Sequence, residues 1–235
     1  MKEIEPIAYF RSPFPAKFGI PRQSGVVKAL RGRVVFEPKF SKEEALRGME
    51  GFDYIWLIWG FSANEREKRA ESDVNNSLTV RPPRLGGNER VGVFASRSPF
   101  RPNGLGLSSV KIVEIGKGFI EVAGADLMDG TPIYDVKPYI PYVDAHSNAR
   151  GGFTDLHEWQ PLEVVLPDNI LDFFTESEAK TLSDILAQDP RPSYQHDANR
   201  IYGMQFIDKD VRFRVENQCC IVVEILWVSV FSSSI

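Results

Sequence analysis

The stretch FDYIWLIWGF, residues 52–61, is almost wholly apolar and rich in aromatic side chains. A ten-residue run of this kind predicts a central β-strand that is buried on both faces. We assign Trp56 and Trp59 within it to the core rather than to a ligand platform. Short apolar runs bounded by Gly and Pro lie on either side and predict further strands at residues 4–10, 32–36, 91–95, 107–115 and 118–123.

The sequence changes character after Tyr142. Residues 143–154 are polar and Gly-rich, which is typical of a linker or of a disordered loop. Thr175 followed by Glu178 has the capping-box pattern, and apolar residues then recur at helical spacing as far as Asp189. A similar box at Ser41 predicts a short helix to about residue 50. The remaining apolar runs predict strands at residues 163–166, 203–207, 211–215 and 220–230.

Composition limits the class of protein. The chain has 235 residues and a formal charge of −4, so any contact with nucleic acid must come from a local patch. Its two cysteines are adjacent and its three histidines are not spaced as metal ligands, which predicts a cytoplasmic protein without a metal site. Its most apolar run, residues 219–231, is too short to cross a membrane.

A basic loop follows the central strand. Residues 79–103, TVRPPRLGGNERVGVFASRSPFRPN, hold five arginines against one glutamate. Prolines and a Gly-Gly pair exclude a helix, and clustered guanidinium groups are typical of phosphate or carboxylate binding. A solvated basic loop that makes only surface ion pairs is the alternative. The polar residues 64–77 just before it resemble a mobile lid.

A second loop has the opposite charge. Residues 124–142, GADLMDGTPIYDVKPYIPY, set three aspartates and three tyrosines among turn-forming residues. An anionic aromatic loop beside a cationic one suits a site that holds a phosphate-bearing partner next to an amine-bearing ligand.

Long motifs in these loops carry a family resemblance. The segments at residues 80–103 and 126–142, with PRQ at residues 21–23 and GFDYIWLIWGF at residues 51–61, resemble the TrmO family, also called YaeB or TsaA-like. The resemblance implies a compact β-barrel domain over residues 1–145 and a small α+β domain over residues 160–235, so the predicted fold is mainly β. It implies a homodimer that uses S-adenosylmethionine to methylate N6 of threonylcarbamoyladenosine next to the anticodon of threonine tRNA.

The resemblance also implies where the cofactor binds. The matching positions are Pro21, Arg22, Gln23, Ser62, Ala63, Arg97, Leu107, Asp126, Leu127, Met128 and Asp129. Two positions depart from the family pattern. Ser62-Ala63 replaces the usual His-Gln, which removes two large polar side chains, and RPNG at Gly104 replaces the usual RPNP.

Methyl transfer to N6 needs a proton acceptor as well as a methyl donor. We assign this role to Asp135, with Lys137 as the second catalytic candidate; a turn-capping carboxylate is the alternative for Asp135. Candidates for contact with the tRNA anticodon loop are Arg84 and Arg101, with Lys137, for phosphates, and Tyr139 and Tyr142 for base stacking. Core packing is the alternative for the two tyrosines.

Two other functions stay open at the level of sequence. One is a non-catalytic RNA- or nucleotide-binding module of the same fold, which Ser62-Ala63 favours. The other is a methyltransferase of this fold with a different substrate. The intact residues 126–132 favour an active methyltransferase.

Overall fold

The computed structural model describes residues 3–61, 78–82, 85, 89–156, 160–192, 195 and 197–228. Most of these residues lie in strands. Six strands close into an antiparallel barrel in the order β1-β2-β7-β6-β3-β8. Their bounds are β1 Ala8–Arg11, β2 Arg31–Phe36, β3 Tyr54–Gly60, β6 Leu105–Gly116, β7 Phe119–Ala123 and β8 Pro132–Pro138.

The alternation of side chains along β3 sets the inside of the barrel. Ile55, Leu57 and Trp59 point inward and are buried, whereas Trp56 and Ile58 between them are half-buried on the outer face. The central strand is therefore buried on one face rather than on both. The predicted core position of Trp59 is confirmed, and Trp56 instead lies on the outer wall.

Three connections emerge from the same end of the barrel. Because every neighbouring pair is antiparallel, the links β1–β2, β3–β6 and β7–β8 share one end, which we call the loop end. They comprise residues 12–30, 61–104 and 124–131. The short pair β4 Thr79–Val80 and β5 Val91–Gly92 lies in the second link. The other end holds the tight β6–β7 turn and the link from β2 to β3.

The second link contains a correction. Residues 91–95 are predicted as one strand, but the strand stops at Gly92 and Val93–Ala95 turn as a 3-10 helix. The predicted lid at residues 64–77 lies outside the described residues.

Two short helices flank the barrel, α1 Glu43–Leu46 and α2 Pro141–Asp144. The box predicted at Ser41 is wrong, since Lys42 is the N-cap and makes no side-chain capping bond. The Ser41 hydroxyl donates instead to the carbonyl of Pro38, 3.0 Å away. Single-turn 3-10 helices occur at Met49–Gly51, Gly152–Thr154 and Ile170–Asp172.

A second unit follows residue 160. Its sheet has the order β10-β11-β12-β9, with β9 Glu163–Val165, β10 Tyr202–Phe206, β11 Lys209–Glu216 and β12 Cys219–Trp227. Helix α3, Glu176–Leu186, packs on it. The predicted capping box is confirmed, because the Thr175 hydroxyl accepts from the amide of Glu178 and the Glu178 carboxylate accepts from the amide of Thr175. Such a cap stabilises a helix by about 1 kcal/mol.

The two units share apolar residues. Phe14, Val27 and Leu30 from the first barrel link are buried among the side chains of α3 and the second sheet, not among those of the barrel. Among the described residues, no helix is long and apolar enough to cross a membrane.

Candidate functional site

All three links of the loop end contribute to one cluster. Arg97, from the second link, donates from Nη1 to Oε1 of Gln23 in the first link, at 2.6 Å. The positive charge of Arg97 also acts on Asp126 in the third link, and the backbone amide of Ser24 donates to the same carboxylate. The structure therefore brings together Gln23, Arg97 and Asp126, which are separated by 74 and 29 residues in sequence. We call these three residues the loop-end cluster.

Two consecutive hydrogen bonds from the barrel interior, which we call the relay, hold the Asp126 carboxylate. The indole Nε1 of Trp59 donates to the hydroxyl of Ser108 at 3.0 Å, and that hydroxyl donates to Oδ1 of Asp126 at 2.5 Å. An indole N–H can only donate, so it directs the hydroxyl proton of Ser108 towards the carboxylate. Ser108 is 1% exposed. Sequence reasoning missed it, because a serine in a strand carries no sign of partners 49 and 18 residues away.

The protonation of Asp126 is set by opposing effects. Burial raises the pKa of the carboxyl above its ordinary value, and the hydrogen bond from Ser108 is the largest effect that lowers it. The backbone amides and the charge of Arg97 also favour the charged form. A desolvated carboxylate with fixed donors is a suitable acceptor for an ammonium or hydroxyl group of a ligand.

The neighbours of Asp126 have different surroundings. Leu127 is buried in the barrel core, so only its backbone is available to a ligand. Met128 is half-buried, and its carbonyl accepts from the amide and hydroxyl of Thr131. Asp129 accepts from the amide of Ser12 at 3.0 Å and pairs with Arg11 at 3.5 Å. Asp129 therefore anchors the end of β1 to the third link.

The remaining PRQ residues face the second unit. Arg22 donates from Nη2 to the carbonyls of Asp189 and Arg191, each at 3.2 Å. Pro21 lines a cavity of about 340 Å³ between residues 17–22 and the end of α3. The sequence gives no sign of this contact between the tripeptide and the second unit.

Other predicted residues of the loop end differ in role. Arg101 donates from Nη1 to the carbonyl of Ser96 at 2.7 Å and more weakly to that of Val93, so it fixes the fold of its own link. Leu107 lies on β6 and is 55% exposed on the outer wall. Ser62, Ala63 and Arg84 lie outside the described residues.

Asp135 and Lys137 form a pair on the outer wall. Oδ2 of Asp135 lies 2.8 Å from Nζ of Lys137, and Oδ1 accepts from the amide of Val136. Asp135 is paired across β8 and β3 with Ile58, which is paired in turn with Leu107. Two strand spacings separate the Cα atoms of Asp135 and Leu107 by about 10 Å. Asp135 therefore lies on the opposite side of the barrel wall from Ser108 and the relay.

The two candidate tyrosines lie towards the other end of the barrel. The ring of Tyr139 contacts Trp56 and Tyr54, with centroid distances of 5.6 and 6.2 Å. Asp144 of α2 accepts from the amide of Ile140 and from Nε1 of Trp56, and these bonds lower the pKa of its carboxyl. Tyr142, on the same helix, is 87% exposed. Tyr139 thus packs on the wall, and Tyr142 is accessible.

Within the described ranges, no three His, Cys, Asp or Glu side chains are grouped so that they could hold a metal ion. The predicted absence of a metal stays a prediction.

Comparisons with known proteins agree on one family. The family model for the tRNA-methyltransferase O N-terminal domain matches residues 9–145, and the model for the TrmO C-terminal domain matches residues 160–227. A relative from Pseudomonas aeruginosa, with the provisional name of S-adenosylmethionine-dependent methyltransferase RcsF, is 40% identical over 89% of this chain and 91% of its own length.

Two further matches span both units. The tRNA (adenine(37)-N6)-methyltransferase of Escherichia coli K12 is 33% identical over 91% of this chain and 93% of its own length. The crystal structure of TrmO from Pseudomonas aeruginosa is similar with a TM-score of 0.75 and 32% identity, covering 97% of both chains. The β-barrel predicted from the resemblance agrees with that structure.

Proposed function

This chain belongs to the tRNA-methyltransferase O family, and from that premise we propose that it transfers a methyl group from S-adenosylmethionine to N6 of a tRNA adenosine. The proposed acceptor is threonylcarbamoyladenosine next to the anticodon of threonine tRNA. The observation that carries the proposal is the loop-end cluster, where Arg97 bonds Gln23 and its charge acts on Asp126, so that three separate links are coupled.

The charges of the cluster fit a zwitterionic ligand. S-adenosylmethionine bears a carboxylate, an ammonium group and ribose hydroxyls, and when bound it supplies a methyl group on a sulfonium. The guanidinium of Arg97 can bind a carboxylate, and Asp126 can accept from an ammonium or hydroxyl group. Gln23 offers an amide beside Arg97. We propose that this site is completed by the other PRQ residues, Leu107, the backbone of residues 127–128 and Ser62-Ala63. Asp129 supports it.

Asp135 is the proposed base for the N6 proton. Its carboxylate is half-buried on the outer wall and is oriented by two donors, Lys137 and the amide of Val136. The acceptor nitrogen is weakly nucleophilic because its lone pair is delocalised, so removal of its proton in the transition state assists attack on the methyl group. Lys137 holds the carboxylate and lies close enough to balance negative charge there.

The tRNA is proposed to contact the barrel rather than the second unit. Residues 160–235 hold six basic against twelve acidic side chains, a formal charge of −6, whereas residues 1–159 carry +2. Phosphates bind to positive charge, so the first unit is the favoured contact. Exposed Tyr142 is proposed to stack on an unpaired base, with Tyr139 packed on the wall nearby, whereas Arg84 and Arg101 of the second link are proposed to contribute positive charge at the loop end.

We propose a cytoplasmic homodimer, with residues 1–145 as the methyltransferase domain and residues 160–235 as a C-terminal domain. Phe94 and Leu107, exposed apolar side chains near the loop end, support an interface there.

The test is Asp135→Asn in a methyl-transfer assay on threonine tRNA with and without the threonylcarbamoyl group. We expect turnover to fall by about 10²- to 10⁴-fold, because a general base is lost, while affinity for S-adenosylmethionine stays within about twofold. Asp172→Asn, on an exposed residue of the second unit, is the matched control.

Full activity of Asp135→Asn would refute the assignment of the base. A wild-type protein that binds tRNA but not S-adenosylmethionine would refute the enzyme and favour the non-catalytic RNA-binding module.

A further inference from the structure

The PRQ tripeptide is attached to both units of the protein. On one side Gln23 meets Arg97, and the amide of Gly25 donates to the carbonyl of Gly124 at 2.8 Å, which joins the first link to the third. On the other side Arg22 reaches the carbonyls of Asp189 and Arg191. The tripeptide is thus a bridge whose two ends are fixed by different parts of the chain.

The link around the tripeptide is built into the core of the second unit. Phe18 stacks on Tyr202 and Phe213, with ring centroids 6.4 and 6.3 Å away. Gly19 has a φ of +96° and lies so close to Met204 that a Cβ atom would come 2.0 Å from the sulfur. A side chain at this position would therefore strain the backbone and would require the buried Met204 side chain to shift.

Packing does not continue as far as the tripeptide. The cavity of about 340 Å³ separates residues 17–22 from Ile185, Gln188 and Pro190. Across it, Arg22 donates two hydrogen bonds to backbone carbonyls of the second unit. On this side, the direction of those two carbonyls therefore contributes to the position of the tripeptide.

A fork-shaped ion pair sets the direction of the two carbonyls. Arg191 donates from Nε and Nη2 to the two carboxylate oxygens of Asp189, at 2.8 and 2.9 Å, and its amide bonds the same carboxylate at 3.3 Å. The Arg191 side chain is 12% exposed. Asp189 has a φ of +48°, a left-handed backbone that its ion pair helps to retain. The pair thus fixes the turn that presents both carbonyls to one guanidinium nitrogen.

We propose that Asp189 and Arg191 are positioning residues for the cofactor site, and that the second unit acts in the reaction by holding the PRQ tripeptide rather than by binding RNA. The formal charge of −6 on residues 160–235 disfavours phosphate contact there. The inference rests on the proposed use of S-adenosylmethionine.

The test compares Arg191→Ala with Arg212→Ala. Arg212 also pairs with two carboxylates, Asp210 and Glu224, but on an exposed face of the second sheet. We expect Arg191→Ala to weaken S-adenosylmethionine binding by about tenfold, since displacement of a ligand-binding segment is transmitted to the site. Its affinity for tRNA and the cofactor affinity of Arg212→Ala should not change.

Two further measurements separate positioning from loss of structure. Arg191→Lys keeps the charge that pairs with Asp189 but lacks the two parallel N–H donors of the guanidinium group. It should therefore fold and yet bind the cofactor more weakly than wild type does. In a cycle with Arg22→Ala, the double variant should lose no more affinity than Arg22→Ala alone, because Arg191 acts through Arg22. Wild-type cofactor affinity in Arg191→Lys, or additive losses in the cycle, would overturn the proposal.

Hydrogen exchange distinguishes this failure from failure of the proposed function. The amide of Gly25 should exchange faster in Arg191→Ala than in Arg212→Ala if the ion pair holds the link. If wild type binds no S-adenosylmethionine, the proposed function fails and the cofactor role falls with it. Unchanged exchange in a cofactor-binding protein would overturn the positioning role alone.

Discussion

Ser108→Ala isolates the relay beneath the loop-end cluster. The substitution removes one hydroxyl from a residue that is 1% exposed and changes little else in volume. It leaves the indole N–H of Trp59 without its acceptor, which costs about 1–3 kcal/mol in a buried position. It also removes the hydrogen bond to the carboxylate of Asp126, a charge-assisted bond of about 1.5–3 kcal/mol. Because the two effects share one group and are not additive, we expect unfolding to become about 3 kcal/mol easier.

The assay is thermal unfolding followed by circular dichroism. For a chain of this length, about 3 kcal/mol corresponds to a fall in Tm of about 6–12 °C. Ser109→Ala is the matched control, since it is the same substitution on the next residue of β6, which faces the outer wall. Its Tm should stay within about 2 °C of wild type.

The pH dependence tests the relay itself. The hydrogen bond from Ser108 favours the charged form of Asp126, so removing it raises the pKa of this carboxyl further. Because only the charged form gains from this bond, the difference in Tm between wild type and Ser108→Ala should be larger at pH 8 than at pH 4. An equal difference at both pH values, or a loss no greater than that of Ser109→Ala, would refute the reasoning.

Two other outcomes follow from burial. Because burial raises the pKa of Asp126, folding favours its neutral form, and the stability linked to this group is lost as pH rises through the raised pKa. Asp126→Asn should thus have a higher Tm than wild type at pH 8 and an equal Tm below pH 3.8. The same variant should bind S-adenosylmethionine about 10- to 100-fold more weakly, as measured by titration calorimetry. A lower Tm than wild type at pH 8 would contradict this reasoning. Burial also raises the pKa of the Cys220 thiol to about 12. At pH 8, iodoacetamide should therefore label half-exposed Cys219 and leave Cys220 unmodified until the protein is unfolded, as measured by peptide mass spectrometry. Comparable labelling of both thiols in the native protein would be the contrary result.

A local sequence pattern predicted the fold correctly where the surrounding residues supply the contacts that the pattern requires. The box at Thr175 forms because helix α3 runs for three turns and has an apolar face that buries Leu182 and Ile185. The same pattern at Ser41 fails because only four residues are helical there and the serine is used in the preceding turn. The strand predicted from residue 211 begins two residues earlier for a tertiary reason, since Lys209 is buried in β11 over the ring of Trp227.

The sequence predicted which loops form the candidate site, but it did not predict which residues contact one another there. Gln23, Arg97 and Asp126 come from long motifs, and the structure brings them together. The same motifs could not show that Asp129 anchors β1 or that Arg101 fixes its own link. Ser108 and the carbonyl of Arg191 make hydrogen bonds to residues that are distant in sequence. The residues next to each of them give no sign of these contacts.

The shared core also imposes an order on assembly. All six barrel strands lie within the first 138 residues, so each can find its neighbours while the chain is still being made. Phe14, Val27 and Leu30, however, are buried in a core whose other buried residues begin at Leu162. The link that carries the PRQ tripeptide is synthesised among the first 30 residues and is fixed by the final third of the chain. The link that carries the proposed cofactor site therefore reaches its buried state only after the second unit has been made.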